Sequence, residues 1–207
     1  MIQGSAEWHA ARLGKVTASR IADLTAKIKT GYSTSRANYM AELICERLTG
    51  ESAPRFVNAE MQWGTDKESD ACDAYAFMAD VDLEPVGFID HPTIAMSGAS
   101  PDRLVGSDGL VEVKCPLTAT HLDTLLGASI PGRYIGQIQW QLACTGRAWC
   151  DWVSFDPRLP PHLRLFVRRI QRDDKAIKEV EIEVRDFLAE LDDKLARLAE
   201  RQARVAA

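Results

Sequence analysis

The stretch Gly109-Leu110-Val111-Glu112-Val113-Lys114 constrains the fold more than any other part of this chain. Side chains alternate across a strand, so Glu112 and Lys114 leave by one face and Val111 and Val113 by the other. The valines call for a core. Two charged residues on the opposite face of a half-buried strand need a reason, because unpaired buried charge is costly. Pro116 ends this strand, since proline cannot donate to a ladder.

Around it the chain reads as helices, then strands, a helical region, two more strands and a last helix. Residues 5–14 are expected to be helical, with Ser5 as the N-cap and Gly14 at the end. Thr17-Ala18-Ser19 reads as the cap of a second helix carrying Ile21, Leu24 and Ile28, and residues 29–36 as a loop rich in turn residues. A longer helix through Tyr39, Leu43, Ile44 and Leu48 closes at Gly50, and a loop around Pro54 follows. Residues 60–79 form another helix, then 83–89, 94–96 and Gly109–Lys114 read as short strands. Residues 118–128 and 133–144 look helical. Residues 148–155 and 163–170 read as strands joined by a proline-rich turn, and a charged amphipathic helix runs over 173–207. With 207 residues, one core is the simplest expectation. The order points to one α/β (α+β) domain over residues 1–207, a mixed central sheet flanked by helices.

Net charge is −5, which argues at first against a nucleic-acid partner. The excess is local. Residues 1–60 carry a net +2, residues 61–114 a net −8 and residues 115–207 a net +1. Acid concentrated around a divalent-cation site accounts for this distribution, because hard cations take carboxylate ligands. A solvated acidic face covers most of Asp66, Asp70, Asp73, Asp80 and Asp82 equally well. The five cysteines lack a CxxC pair, so neither a disulfide framework, a zinc knuckle nor an iron–sulfur cluster is expected. The four histidines are scattered and suggest no metal cluster. No apolar run approaches the ~20 residues of a membrane-spanning helix, and no signal pattern opens the chain, so a cytoplasmic protein with no membrane partner is expected.

Asp102 stands before a Gly106–Gly109 hairpin that returns the chain to Glu112 and Lys114. Carboxylates side by side repel, and the remedies are a shared proton or a cation. With a lysine beside them, hydrated Mg²⁺ is the economical answer, activating water and neutralising charge on a phosphodiester. Lys114 would orient that water or stabilise the developing charge. Glu68, projecting from the 60–79 helix, is a candidate third carboxylate, although a solvent-facing helical carboxylate is the commoner case. Gln137 and Gln141 share one helical face, where a polar stripe is the plain alternative. Trp8 and Trp63 are read as core residues.

Taken together, these residues resemble a known family. Pro101-Asp102 with Glu112-Val113-Lys114 resembles the PD-(D/E)xK nuclease signature. The surrounding blocks are similar to those of phage lambda exonuclease and the YqaJ-like viral recombinase family. They are Glu7-Trp8-His9-Ala10-Ala11-Arg12-Leu13-Gly14 with Thr17-Ala18-Ser19, Trp63-Gly64 with Glu68, Ser100-Pro101-Asp102, Glu112-Val113-Lys114-Cys115-Pro116, Gln137-Ile138-Gln139 and Asp156-Pro157-Arg158, in the family's order over nearly the whole chain. The resemblance implies a restriction-endonuclease-like core and a Mg²⁺-dependent, ATP-independent exonuclease. Such an enzyme degrades one strand of duplex DNA from its 5′ end, releases 5′-mononucleotides and leaves 3′ overhangs for recombination. It implies two Mg²⁺ ions, with Mn²⁺ as a substitute, held by Asp102, Glu112, the Val113 carbonyl and Glu68. Lys114 would stand beside the attacking water, and Gln137 would fix Lys114 or the scissile phosphate. Arg12, Ser19 and Ser100 would bind the 5′-terminal phosphate. For this last assignment a helix start at Thr17–Ser19 offers free N–H groups and a positive dipole, and Arg12 a bidentate contact; a surface arginine is the alternative. The resemblance further implies a homotrimeric ring around double-stranded DNA, a single-strand annealing protein as partner, and work inside a bacterial or phage-infected cell. Arg103 departs from the glycine frequent in relatives and is expected to bind DNA or merely to flank the site. Two other readings keep the same core: a structure-specific endonuclease, and a non-catalytic scaffold that binds DNA ends.

Overall fold

The computed structural model describes residues 1–52 and 58–206. The loop expected around Pro54 lies outside the described residues. Helix α1 (Ala6–Arg12) begins where the Ser5 hydroxyl accepts the Trp8 N–H at 3.2 Å. Strand β1 (Val16–Thr17) leads into a single 3-10 turn over Ala18–Arg20 and the short α2 (Ile21–Thr25). The expected second helix therefore stops before Ile28. Lys27–Ile28 (β2) instead pairs with Gly31–Tyr32 (β3) in a small exposed hairpin, because Gly31 takes a φ of +130° that few other residues tolerate. The loop expected over 29–36 is correspondingly shorter. Helix α3 (Thr34–Thr49) starts at a Ser33 cap and ends at Gly50 in the left-handed conformation. Helix α4 (Ala59–Ala79) starts where the Asn58 side chain accepts the Met61 N–H.

The strand expected over 83–89 is two strands, β4 (Leu83–Pro85) and β5 (Ile89–Asp90), separated by Val86, Gly87 and Phe88. The strand expected at 94–96 lies later, at β6 (Ser97–Ala99). His91 Nδ1 accepts the N–H groups of Thr93 and Ile94 and holds that stretch as a turn, and Met96 follows with a φ of +60°. Then come β7 (Arg103–Val105), β8 (Gly109–Lys114), α5 (Thr118–Leu125), α6 (Gly132–Thr145), β9 (Trp149–Phe155), β10 (Leu165–Gln171) and α7 (Asp174–Ala206). The Asp173 carboxylate caps α7 by accepting the N–H groups of Lys175 and Ala176.

The main sheet has the order β10-β9-β8-β7-β4, with β8 and β9 parallel and the other neighbours antiparallel. A parallel pair needs a crossover, and α5 and α6 provide it. The second sheet has the order β1-β6-β5, with β1 parallel to β6. The two faces of β8 bury different things. Val111 and Val113 pack with Ala71, Cys72 and Tyr75 of α4, whereas Leu110 packs with Ile138 and Leu142 of α6. A third cluster joins α2, α3, α6 and α7 through Ile21, Leu24, Tyr39, Leu43, Trp140, Phe187 and Leu191. The architecture is the mixed α/β sheet flanked by helices that the pattern predicted.

Candidate active site

Strand β7 is three residues long and pairs only with the first half of β8. Beyond Val111, no strand among the described residues lies beside that edge of β8. The Asp102 carboxylate fills the gap, accepting the Val113 N–H at 2.7 Å. Asp102 lies in the bend just before β7.

Glu112 faces α6 and is only 1% exposed. Its Oε1 accepts from Lys114 Nζ and from Gln137 Nε2 at 2.6 Å, and its Oε2 accepts from Gln141 Nε2 at 2.6 Å. Gln137 and Gln141 are one turn apart on α6, so both reach the same carboxylate. The Lys114 ammonium lies 5.2 Å from the Tyr134 ring centroid. Burial opposes its charge, but Glu112 and Asp102 outweigh that effect and raise its pKa. Burial and then the charge of Glu112 push the Asp102 carboxyl well above the usual carboxylate range.

Asp102, Val113, Lys114, Glu68, Trp63 and Tyr134 line one open cleft of about 720 Å³. Glu68 belongs to α4, which covers the valine face of β8, and so approaches from the side opposite Glu112. Its oxygen lies 3.4 Å from Arg103 Nη1. Arg103 therefore flanks the site as the partner of Glu68. Among the described residues, no three His, Cys, Asp or Glu side chains come together to hold a metal. What the site offers is two repelling carboxylates and one backbone edge beside an open cleft. That donor set fits a cation that keeps most of its waters and takes one or two carboxylates, as Mg²⁺ does, and does not fit a caged tetrahedral zinc.

The expected phosphate residues divide. Arg12 Nη1 donates to Ser100 Oγ at 3.4 Å, and Trp8 Nε1 donates to the same oxygen at 2.9 Å. The Arg12 guanidinium lies 4.0 Å from the Trp8 ring centroid. The parallel β1–β6 pairing brings these distant segments together, and Ser100 is two residues from Asp102. The Ser19 hydroxyl lies 3.5 Å from that of Thr17. The helix start expected at Thr17–Ser19 is a 3-10 turn, Ala18–Arg20, that leads into the five-residue α2.

Trp8 is half-buried and donates to Ser100 rather than sitting in the core. Trp63 packs against the core between α4 and β8, as expected, and also lines the cleft, with the Arg158 guanidinium 4.6 Å from its ring centroid. Gln137 and Gln141 do share one helical face, as their spacing predicted, and that face is turned to Glu112. Gln139 is structural: it donates to the Gln171 carbonyl and accepts the Asp173 N–H, joining β10 to α7.

The family model of the YqaJ-like viral recombinase domain matches residues 7–148. An alkaline exonuclease (LHK-Exo) from Laribacter hongkongensis is 51% identical, with a TM-score of 0.90 over 97% of this chain and 100% of that one. LHK-Exo in complex with dAMP gives a TM-score of 0.91 at the same identity and coverage. A phage-related exonuclease from Haemophilus somnus 129PT shares the fold at 16% identity, with a TM-score of 0.73 over 89% of this chain and 96% of that one. No curated protein sequence matches the chain. With the signature blocks in order, the family model across most of the chain and a structural relative at half identity, the chain belongs to the YqaJ-like viral recombinase family.

Proposed function

We propose that this chain, acting as one nuclease domain over residues 1–207, is a Mg²⁺-dependent 5′→3′ exonuclease on double-stranded DNA ends. It releases 5′-mononucleotides and leaves 3′ single strands for annealing-type recombination. Family membership supports nuclease activity of the alkaline-exonuclease type. The observation that carries the finer reading is an adjacency. The Arg12–Ser100 contact, suited to an anion, lies two residues along the chain from Asp102, which shares its cleft with Lys114 and Glu68. A 5′ phosphate held at the first would bring a nearby phosphodiester toward the second. LHK-Exo, the 51% identical relative, is known in complex with dAMP, which supports a nucleotide ligand for this chain.

In this reading Asp102, Glu112 and the Val113 carbonyl would hold Mg²⁺, or Mn²⁺ in its place, and Glu68 would help to hold a second ion. A divalent ion there supplies Lewis acidity and a water of lowered pKa. The protein groups do the positioning. Lys114, held cationic by Glu112 and Asp102, stabilises charge building on the phosphate and orients the water. Gln137 holds the Glu112 oxygen nearest Lys114. Arg12, Ser19 and Ser100 take the terminal phosphate. The family resemblance adds a homotrimeric ring threaded by DNA and a single-strand annealing protein as partner.

The test is digestion of linear duplex DNA labelled separately at its 5′ and 3′ ends, with Mg²⁺ or with EDTA. Metal-dependent release of mononucleotides from the 5′ label, with closed circles intact, is the expected result. Cut circles would replace this reading with a structure-specific endonuclease, and tight binding without cleavage with a DNA-end scaffold.

A further inference from the structure

The Glu112 carboxylate is gripped from two directions. Gln137 and Lys114 reach Oε1 near the cleft, while Gln141 reaches Oε2 from within the core. Gln141 is fully buried, and its own carbonyl oxygen has no hydrogen-bond partner. The orientation of its amide follows from chemistry, since only the NH₂ end can face a carboxylate, which accepts and does not donate. An orphaned buried carbonyl calls for an explanation, because nearly all such groups are satisfied. A methionine or leucine would fill the same space beside Ile138 and Leu142 without leaving it.

We propose that Gln141 is a positioning residue for Glu112: it fixes the inner oxygen, and with it the plane of the carboxylate, so that Oε1 is the oxygen presented for metal binding. This rests on the reading of Glu112 as a metal ligand. A pinned carboxylate loses little freedom on binding a cation, whereas a loose one must be ordered at that moment. Gln141 acts only through Glu112: among the described residues its side-chain amide hydrogen-bonds Glu112 and none of the groups that line the cleft. Gln139 provides the internal comparison. It is also a buried glutamine on α6, but its hydrogen bonds go to Gln171 and Asp173 and none to the carboxylates.

The experiment is calorimetric titration of Mn²⁺ into the full chain without DNA, for the wild type and for Gln141→Met, Gln141→Asn, Gln139→Met and Glu112→Gln, with near-ultraviolet circular dichroism to establish folding. Gln141→Met is expected to bind Mn²⁺ roughly 10–100-fold more weakly while remaining folded. Gln139→Met is expected to lose thermal stability and keep wild-type affinity. Should the methionine variant fail to fold, Gln141→Asn carries the test, since it keeps the amide but withdraws it from Glu112. Wild-type affinity in the folded Gln141 variants, with binding lost in Glu112→Gln, overturns the role of Gln141 alone. Wild-type affinity in Glu112→Gln overturns the metal-ligand reading itself.

Discussion

Lys114 sits between the carboxylate it neutralises and the cleft it faces, and Glu112 and Asp102 raise its pKa against the cost of burial. On the proposed reading it would serve as a fixed positive charge. Lys114→Ala is expected to fold and to bind duplex DNA, yet to cleave at least about a hundredfold more slowly, as removal of a preorganised charge does. Single-turnover digestion beside a DNA-binding isotherm measures both, and a near wild-type rate would sink the assignment. Arg12, beside Ser100, is the proposed contact for the terminal phosphate. Arg12→Ala is expected to erase the preference for 5′-phosphorylated over 5′-hydroxyl ends while leaving the chemistry of an engaged phosphodiester intact; a surviving preference places the phosphate elsewhere. At this scale the sequence was informative where spacing is local. The period of two put Glu112 and Lys114 on one face, and the hairpin returned Asp102 to them. Trp8 was misread because an indole at helical spacing looks like core, and its N–H found Ser100 only through the fold.

Strand β8 works because its neighbours are unequal. Strand β9 pairs with its whole length, while β7 stops halfway and leaves the Val113 N–H for Asp102. The far end of β9 is secured by Asp156, whose buried carboxylate accepts from Arg158 N, Nε and Nη2 at 3.0, 2.7 and 3.0 Å. Arg158 also donates to the Pro116 carbonyl, which ties this corner to the segment leaving β8. Burial works against the Asp156 charge, but hydrogen bonds from Arg158 and Thr118 prevail and bring its pKa down to about 2. A carboxylate depressed in the folded state stabilises above its unfolded pKa of about 4, and that stability is lost as pH falls through the folded value. The gap in unfolding free energy between wild type and Asp156→Asn should be about 1–2 kcal/mol near neutrality, allowing for the half-exposed Arg158. It should shrink between about pH 4 and pH 2. Urea unfolding across that range measures it, and a constant gap would refute the account. Element boundaries were legible where caps stand in the sequence, as at Ser5, Gly50 and Pro116. They were misplaced at Ile28 and over 94–96, where a positive-φ glycine and a histidine-held turn decided the path.

Across the whole molecule, the acidic excess of residues 61–114 includes Asp102, Glu112 and Glu68, and the fold spends stability to keep the first two together. Asp102 carries a raised pKa, so its charge destabilises the metal-free protein once pH climbs past the unfolded carboxyl value, and more so up to the folded one. Asp102→Asn keeps an acceptor for the Val113 N–H and removes the repulsion. Without metal it should melt at or above the wild-type temperature, while Mg²⁺ should raise the wild-type midpoint and leave that of the variant nearly unmoved. Thermal melts with Mg²⁺ and with EDTA check this, and an equal shift in both proteins would place the ion elsewhere. The α/β class, the paired charges on β8, the hairpin to Asp102 and the family signature were all determined by the sequence itself, because periodicity, turn residues and caps act over a few positions. Three things were decided only by the tertiary structure: the meeting of Arg12 with Ser100 across 88 residues, the diversion of Glu68 to Arg103, and the hold of Gln141 on Glu112. Each depends on which strands pair and which helix covers which face of the sheet, and those choices are made by long-range burial that no local pattern encodes.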